Sequence, residues 1–179
     1  MKKLLSILLF TCLTVSGFSQ SFYTETGTAI FYSKVPLHNF SGTSNSLIGL
    51  INFDDSTVDF YIDLETLDTK NAKRDKDMKL TLDTENYPYG EFFGKLTSEF
   101  DLESTAEQEV MVEGVFKIHG KEKEIIVEGT LRRDGENLYL KAGWILLLED
   151  YEIVPPQILF IKVDQEQEIE INATLTIKE

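Results

Sequence analysis

The stretch Glu109–Leu131 constrains this chain more than any other. Val110, Val112, Gly114, Phe116 and Ile118 fall on one side of an alternating pattern, and Glu113, Lys117 and His119 on the other. Gly120 follows, and the alternation resumes with Ile125, Val127, Gly129 and Leu131 against Glu124, Glu128 and Thr130. A period of two places successive side chains on opposite faces of a strand. The spacing therefore predicts a β-hairpin with one apolar and one polar face. An isolated hairpin is barely stable in water, so further strands with matching faces are required.

The same pattern recurs along the chain. It predicts strands near Thr28–Ser33, His38–Asn45, Leu47–Phe53, Thr57–Leu64, Glu91–Leu102, Asn137–Leu148 and Glu168–Ile177, with Ile158–Val163 either a short strand or a loop. Asp54-Asp55-Ser56 and Asp134-Gly135 read as turns. The end of the Asn137–Leu148 strand is apolar on both sides, at Ile145 and Leu147, which implies that something covers it. Only Glu65–Gly90 departs from strand character. Arg74–Leu82 predicts a short helix with Met78 and Leu82 on one side, in a segment of the kind that caps a barrel mouth. The expected fold class is all-β: roughly eight or nine antiparallel strands and one short helical excursion, closed as a barrel or stacked as a sandwich.

The chain has 179 residues. Met1-Lys2-Lys3, the apolar run from Leu4 to Val15 and the small residues Gly17 and Ser19 form the three-part pattern of a secretory signal peptide. The expectation is a leader over 1–19 and one domain over 20–179. The apolar run is too short to span a bilayer comfortably. Cys12 raises the alternative of lipidation, but Thr11 precedes it where a small residue is usual. If Cys12, the single cysteine, leaves with the leader, thiol catalysis, disulfides and thiolate metal sites are excluded.

The formal charge of −14, or −16 without Lys2 and Lys3, argues against nucleic acid and anionic membrane surfaces as partners. No catalytic constellation is expected. His38 and His119 are the only histidines and lack ligand-spaced partners, and no nucleophile elbow, phosphate loop or dinucleotide turn occurs. No metal and no cofactor are expected.

The inward positions of the predicted barrel are Phe60, Ile62, Leu64, Phe92, Leu96, Phe100, Val112, Phe116, Ile118, Leu140, Trp144 and Leu146. They would either fill the interior or line a space for one apolar ligand. Composition alone leaves both interiors open, and a filled core is the plainer reading.

Five segments, in order, resemble the YceI-like family of secreted lipid-binding domains. Gly49-Leu50-Ile51-Asn52-Phe53-Asp54 is similar to its G-x-I-x-F-D, and Leu64–Asp75 to its S-I-D-T-x-N-x-x-R-D segment. Asn86–Phe92 resembles its K-Y-P-x-x-x-F turn. Val112–Gly120 resembles its G-x-L-T-I-H-G hairpin, and Leu148–Ile153 its L-x-D-Y-x-I stretch. Glu65 replaces the usual Ser, Asp77-Met78-Lys79-Leu80 replaces the usual Leu and paired Phe, and Gly120-Lys121-Glu122-Lys123 replaces G-V-T-K. The resemblance implies a lipocalin-like antiparallel barrel outside the cytoplasm, periplasmic or secreted. It implies that the twelve inward residues line a tunnel for a polyisoprenoid or related lipid. The partner expected is thus an apolar lipid, with a homodimer allowed, no nucleic acid and no stable membrane span. A non-enzymatic interaction domain with a filled barrel is the alternative.

Overall fold

The computed structural model describes residues 20–35, 39–155, 157–158 and 161–178. The expected leader, Cys12 and His38 lie outside the described residues. Ten strands form: β1 (Ser21–Ser33), β2 (Phe40–Asn52), β3 (Thr57–Asp63), β4 (Tyr89–Leu96), β5 (Gln108–Ile118), β6 (Lys121–Asp134), β7 (Asn137–Leu147), β8 (Gln157–Ile158), β9 (Ile161–Lys162) and β10 (Glu166–Ile177). Eight of them close into an antiparallel barrel in the order β1-β10-β7-β6-β5-β4-β3-β2, while β8 and β9 make a separate two-stranded ribbon. The barrel is the predicted fold class. Closure leaves no strand edge among the eight.

The hairpin expected over Glu109–Leu131 is β5–β6, paired from Gln108↔Leu131 to Ile118↔Lys121. His119 and Gly120 make its turn with positive φ, 54° and 72°. Gly120 also packs under the Tyr87 ring, where a Cβ would sit 2.6 Å from Cε1.

Several strand limits differ from the expectation. β1 begins at Ser21, and the two strands expected before and after Asn45-Ser46 are one strand, β2. Between Thr24↔Gly49 and Gly27↔Leu47 an extra residue sits on β1; between Gly27↔Leu47 and Ala29↔Ser44 one sits on β2. These two bulges bend the pair and break the period of two that the eye follows in sequence. β4 stops at Leu96 rather than Leu102: after Thr97 N–H bonds the Met111 carbonyl, the Met111 N–H goes to the Ser98 hydroxyl instead of a backbone carbonyl, and a loop begins. Ile145 is 54 % exposed, so the apolar end of β7 is not covered on its outer side.

Gly94 pairs with Gly114, and the Phe92 ring lies against both positions. A Cβ on Gly114 would come within 2.5 Å of the Phe93 carbonyl oxygen and 2.6 Å of the Gly94 Cα. Both contacts are backbone, so no side-chain rotation relieves them. Gly114→Ala is expected to lower unfolding stability by about 2 kcal/mol, as for an overpacked core position, measured by urea denaturation against the parent chain.

Candidate ligand-binding cavity

The two ends of the barrel are built differently. At the end holding the β2–β3, β4–β5 and β6–β7 turns, aromatic rings form a plug. Phe22 meets Phe53 edge-on at 5.9 Å, and Phe53 stacks on Phe100 at 5.2 Å and 22°. The Arg133 guanidinium stands 5.9 Å from the Phe22 ring centre and donates to the Leu102 carbonyl at 2.9 Å, pinning the β4–β5 loop across this end. Leu131, Leu138 and Leu175 beneath it are essentially inaccessible. This end is a packed core.

Beyond the plug the interior is hollow. A cavity of about 790 Å³ runs toward the opposite end, within the range of known small-molecule sites. Eleven of the twelve residues expected to face inward line it: Phe60, Ile62, Leu64, Phe92, Leu96, Val112, Phe116, Ile118, Leu140, Trp144 and Leu146. Phe100 does not. With β4 ending at Leu96, the alternation cannot be carried across the loop, and the Phe100 ring belongs to the plug instead. Phe116 sits at the centre of an aromatic wall, edge-on to Trp144 at 5.3 Å and to Tyr151 at 5.7 Å. Burial, with the Asp150 charge adding to it, pushes the Tyr151 hydroxyl up to about 12. It therefore stays neutral at physiological pH. Phe60 lies flat over Gly49 of the neighbouring strand, where a Cβ would be only 2.0 Å from its ring. Glycine at 49 thus keeps the Phe60 ring against the wall and out of the lumen.

At the open end stands the helical excursion. A short 3-10 helix (Leu64–Thr66) is followed by helix α1 (Ala72–Leu82). The Asn71 side chain caps α1 by accepting from Lys73 N–H and Arg74 N–H, and Asp83 in the left-handed region closes it. The approach to α1 is tied to β2 by paired backbone bonds between Thr43 and Asp68, both 3.0 Å. Asp75 accepts from the Thr69 N–H at 2.9 Å and the Thr69 hydroxyl at 2.6 Å. Met78 and Leu82 turn toward the cavity, and the Arg74 guanidinium lies 4.2 Å over the Phe40 ring. Phe40 in turn meets Phe31 edge-on at 6.0 Å.

The polar side chains that reach the lining cluster at this mouth. Asn71, Lys73, Arg74, Asp77 and Thr81 come from α1 and its cap, Tyr61 from the end of β3 and Gln167 from the start of β10. Everything deeper is hydrocarbon or aromatic. Sequence reasoning missed several lining residues, among them Phe31, Phe40 and Val58, and the mouth set contributed by α1. Val58 was legible in the alternation of β3. Phe31 and Phe40 were hidden by the bulged β1–β2 pair, and α1 has no strand period that could have placed it. Among the described residues no group of three His, Cys, Asp or Glu side chains gathers as a metal site. His119 is engaged structurally: its Nδ1 is 3.0 Å from the Tyr151 carbonyl oxygen, to which it donates, and its ring meets Tyr87 at 5.8 Å.

The family model described as the YceI-like domain matches residues 21–175. The chain belongs to the YceI-like family. No curated protein matches the sequence. Among solved structures, a polyisoprenoid-binding domain from Saccharophagus degradans implicated in plant cell wall breakdown is 14% identical, with a TM-score of 0.75, covering 90% of this chain and 100% of that one. Burkholderia cenocepacia BcnA is also 14% identical, at TM-score 0.70, covering 84% and 96%. The Campylobacter jejuni YceI protein is 16% identical, at TM-score 0.63, covering 77% and 85%. At such identities these likenesses establish the barrel shared across the YceI-like family.

Glu65 is the clamp between this mouth helix and the barrel. Its carboxylate bonds Lys79 Nζ at 2.8 Å and accepts from the Thr84 hydroxyl. The Lys79 contact first, and Thr84 second, hold its pKa below the ordinary 4.5. A carboxylate with a lowered folded pKa contributes stability above its unfolded value and loses it as pH falls through the folded one. Amide-exchange protection across α1 is therefore expected to hold at neutral pH and to drop below about pH 4 ahead of the barrel strands. In Glu65→Gln the α1 protection should be low already at neutral pH and change less on acidification.

Proposed function

We propose that this chain is a binding or carrier protein that holds one long apolar lipid, of the polyisoprenoid class, inside the barrel with its polar end at the α1 mouth. The leader pattern over residues 1–19 supports a periplasmic or secreted location for it. The observation that carries the proposal is the cavity: about 790 Å³, lined almost wholly by apolar and aromatic side chains, with charged groups only at its mouth. The polyisoprenoid-binding description of the Saccharophagus degradans relative agrees with it.

The mechanism is burial. Each methylene moved from water into the cavity contributes about 0.8 kcal/mol, so ten contribute about 8 kcal/mol before the cost of ordering the chain. Isoprenoid tails suit the irregular aromatic wall, since contact there is non-directional. A charged headgroup cannot follow, because desolvation is costly and the deep lining carries only the Trp144 Nε1–H, buried without a protein partner among the described residues. Binding thus requires no charged contact and no chemistry. Among the described residues His119 is taken up by the Tyr151 carbonyl and the Tyr87 ring, which gives an enzyme reading nothing to rest on there. The hollow interior likewise favours a carrier over an interaction domain with a filled barrel.

Two measurements test this. Mass spectrometry of an organic extract from gently purified protein is expected to show a stoichiometric isoprenoid or other long-chain lipid. Trp144 is the single tryptophan and lines the cavity, so its fluorescence should shift on titration with a prenyl alcohol. Ala142→Phe, which places a ring in the lumen, is expected to weaken that titration at least tenfold, about 1.4 kcal/mol. A well-folded protein that carries no lipid and shows no Trp144 response to any prenyl chain would overturn the proposal.

A further inference from the structure

The cavity wall holds a polar group that the protein leaves without a partner. Four buried side-chain atoms have no hydrogen-bond partner among the described residues: Gln20 Oε1, Ser33 Oγ, Trp144 Nε1 and Gln165 Oε1. Of these residues only Trp144 lines the cavity. An indole N–H can only donate, and when buried it usually finds an acceptor. Left bare, it carries the full desolvation cost of the donor. Phe116 meets the Trp144 ring edge-on at 5.3 Å and holds it in the wall.

A second polar group stands beside it. Trp144 pairs with Ile169, and Leu146 with Gln167. Gln167 is therefore one inward step nearer the mouth, on the neighbouring strand. Diagonal neighbours of this kind lie roughly 7–8 Å apart, within reach of long side chains. Gln167 is buried, at 6 % exposure, and lines the cavity. Its Nε2 donates to the Asp164 carbonyl at 2.8 Å and to the Glu166 carbonyl at 3.1 Å. Those two bonds fix the orientation of the amide, and its Oε1 accepts no bond among the described residues. A bare donor and a bare acceptor thus flank the upper lumen. The surroundings disfavour an anion. From Asp63 to Glu85 seven acids outnumber five bases, and Glu149, Asp150 and Glu152 add to them. β10 carries Glu166, Glu168 and Glu170 and no base.

We propose that the barrel selects isoprenoids ending in a neutral hydroxyl, seated just inside the mouth between Trp144 and Gln167. The hydroxyl oxygen accepts from the Trp144 Nε1–H, and its O–H donates to Gln167 Oε1. A hydroxyl is both donor and acceptor, so one group satisfies both side chains. A hydrocarbon end leaves both bare. An ether or a carbonyl satisfies only the indole. A phosphate brings charge to an acidic mouth and must be desolvated there. The inference rests on the cavity taking an apolar chain. It adds the end-group that chain carries, to which the burial of methylenes is blind because it is non-directional.

The test is displacement of the neutral apolar dye N-phenyl-1-naphthylamine by geranylgeraniol, its methyl ether, its deoxy hydrocarbon and its monophosphate. The alcohol is expected to bind about tenfold or more tighter than the hydrocarbon or the phosphate, with the ether between, as two neutral hydrogen bonds would give. The single tryptophan gives one indole N–H resonance, which should move downfield with the alcohol and the ether but not with the hydrocarbon. Trp144→Phe should lose most of the ether's advantage over the hydrocarbon while binding the hydrocarbon nearly as the parent does. A purely packing role for the ring would instead weaken all four compounds alike. Gln167→Met should remove the alcohol's advantage over the ether. If either variant is unstable, the ligand series and the indole resonance of the unaltered chain decide the matter. Equal binding of alcohol and hydrocarbon, tighter binding of the phosphate, or an indole resonance unmoved by the alcohol overturns the proposal and leaves the cavity reading standing. Failure of every prenyl compound to displace the dye removes the cavity reading and this inference with it.

Discussion

Closure of the sheet is the constraint on which everything else depends. The β1–β10 pairing joins the first strand of the barrel to the last, from Phe22↔Ile177 to Ser33↔Gln167. Once that seam forms, each strand has two partners and each inward side chain shares one enclosed volume. Eight strands give a barrel wide enough that side chains alone need not fill it. Whether it stays hollow is then decided by how the rings lie. Phe60 flat on Gly49, and Phe92 against the Gly94–Gly114 pair, keep two large side chains along the wall.

Asymmetry between the ends converts a hollow barrel into a one-mouthed site. Phe22, Phe53 and Phe100 with Arg133 seal one end by stacking and by a bond to the Leu102 carbonyl. The other end receives α1, which has no fully buried residue and rests on a few half-buried contacts. Stability in such a molecule is unevenly spread, with the plug and strands at the high end and the mouth helix at the low end. A ligand that must enter and leave meets the part that costs least to move.

Much of this was legible in the residues. The alternation in β3, β5, β6, β7 and β10 assigned inward and outward faces, and eleven of twelve inward expectations lie on one cavity wall. Legibility failed where the period of two fails. The bulges between Thr24 and Ala29 made β1 look short and split β2 in two. Phe100 kept its phase in sequence, but the chain had already left the sheet at Leu96. Ile145 looked covered because apolar runs on both faces usually are, yet its outer side meets solvent.

The sequence by itself determined the strand faces, the antiparallel class, a short helix within 74–82 and the acidic character of the surface. These are local properties, set by side-chain periodicity, turn residues and formal charge. The cavity was decided only by the tertiary structure. Its volume depends on how many strands close, on their stagger, and on where each aromatic ring finds room against a glycine several strands away. The same inward residues could have met and filled the centre. That they line a space instead is a property of the closed sheet as a whole, and no stretch of the chain read alone contains it.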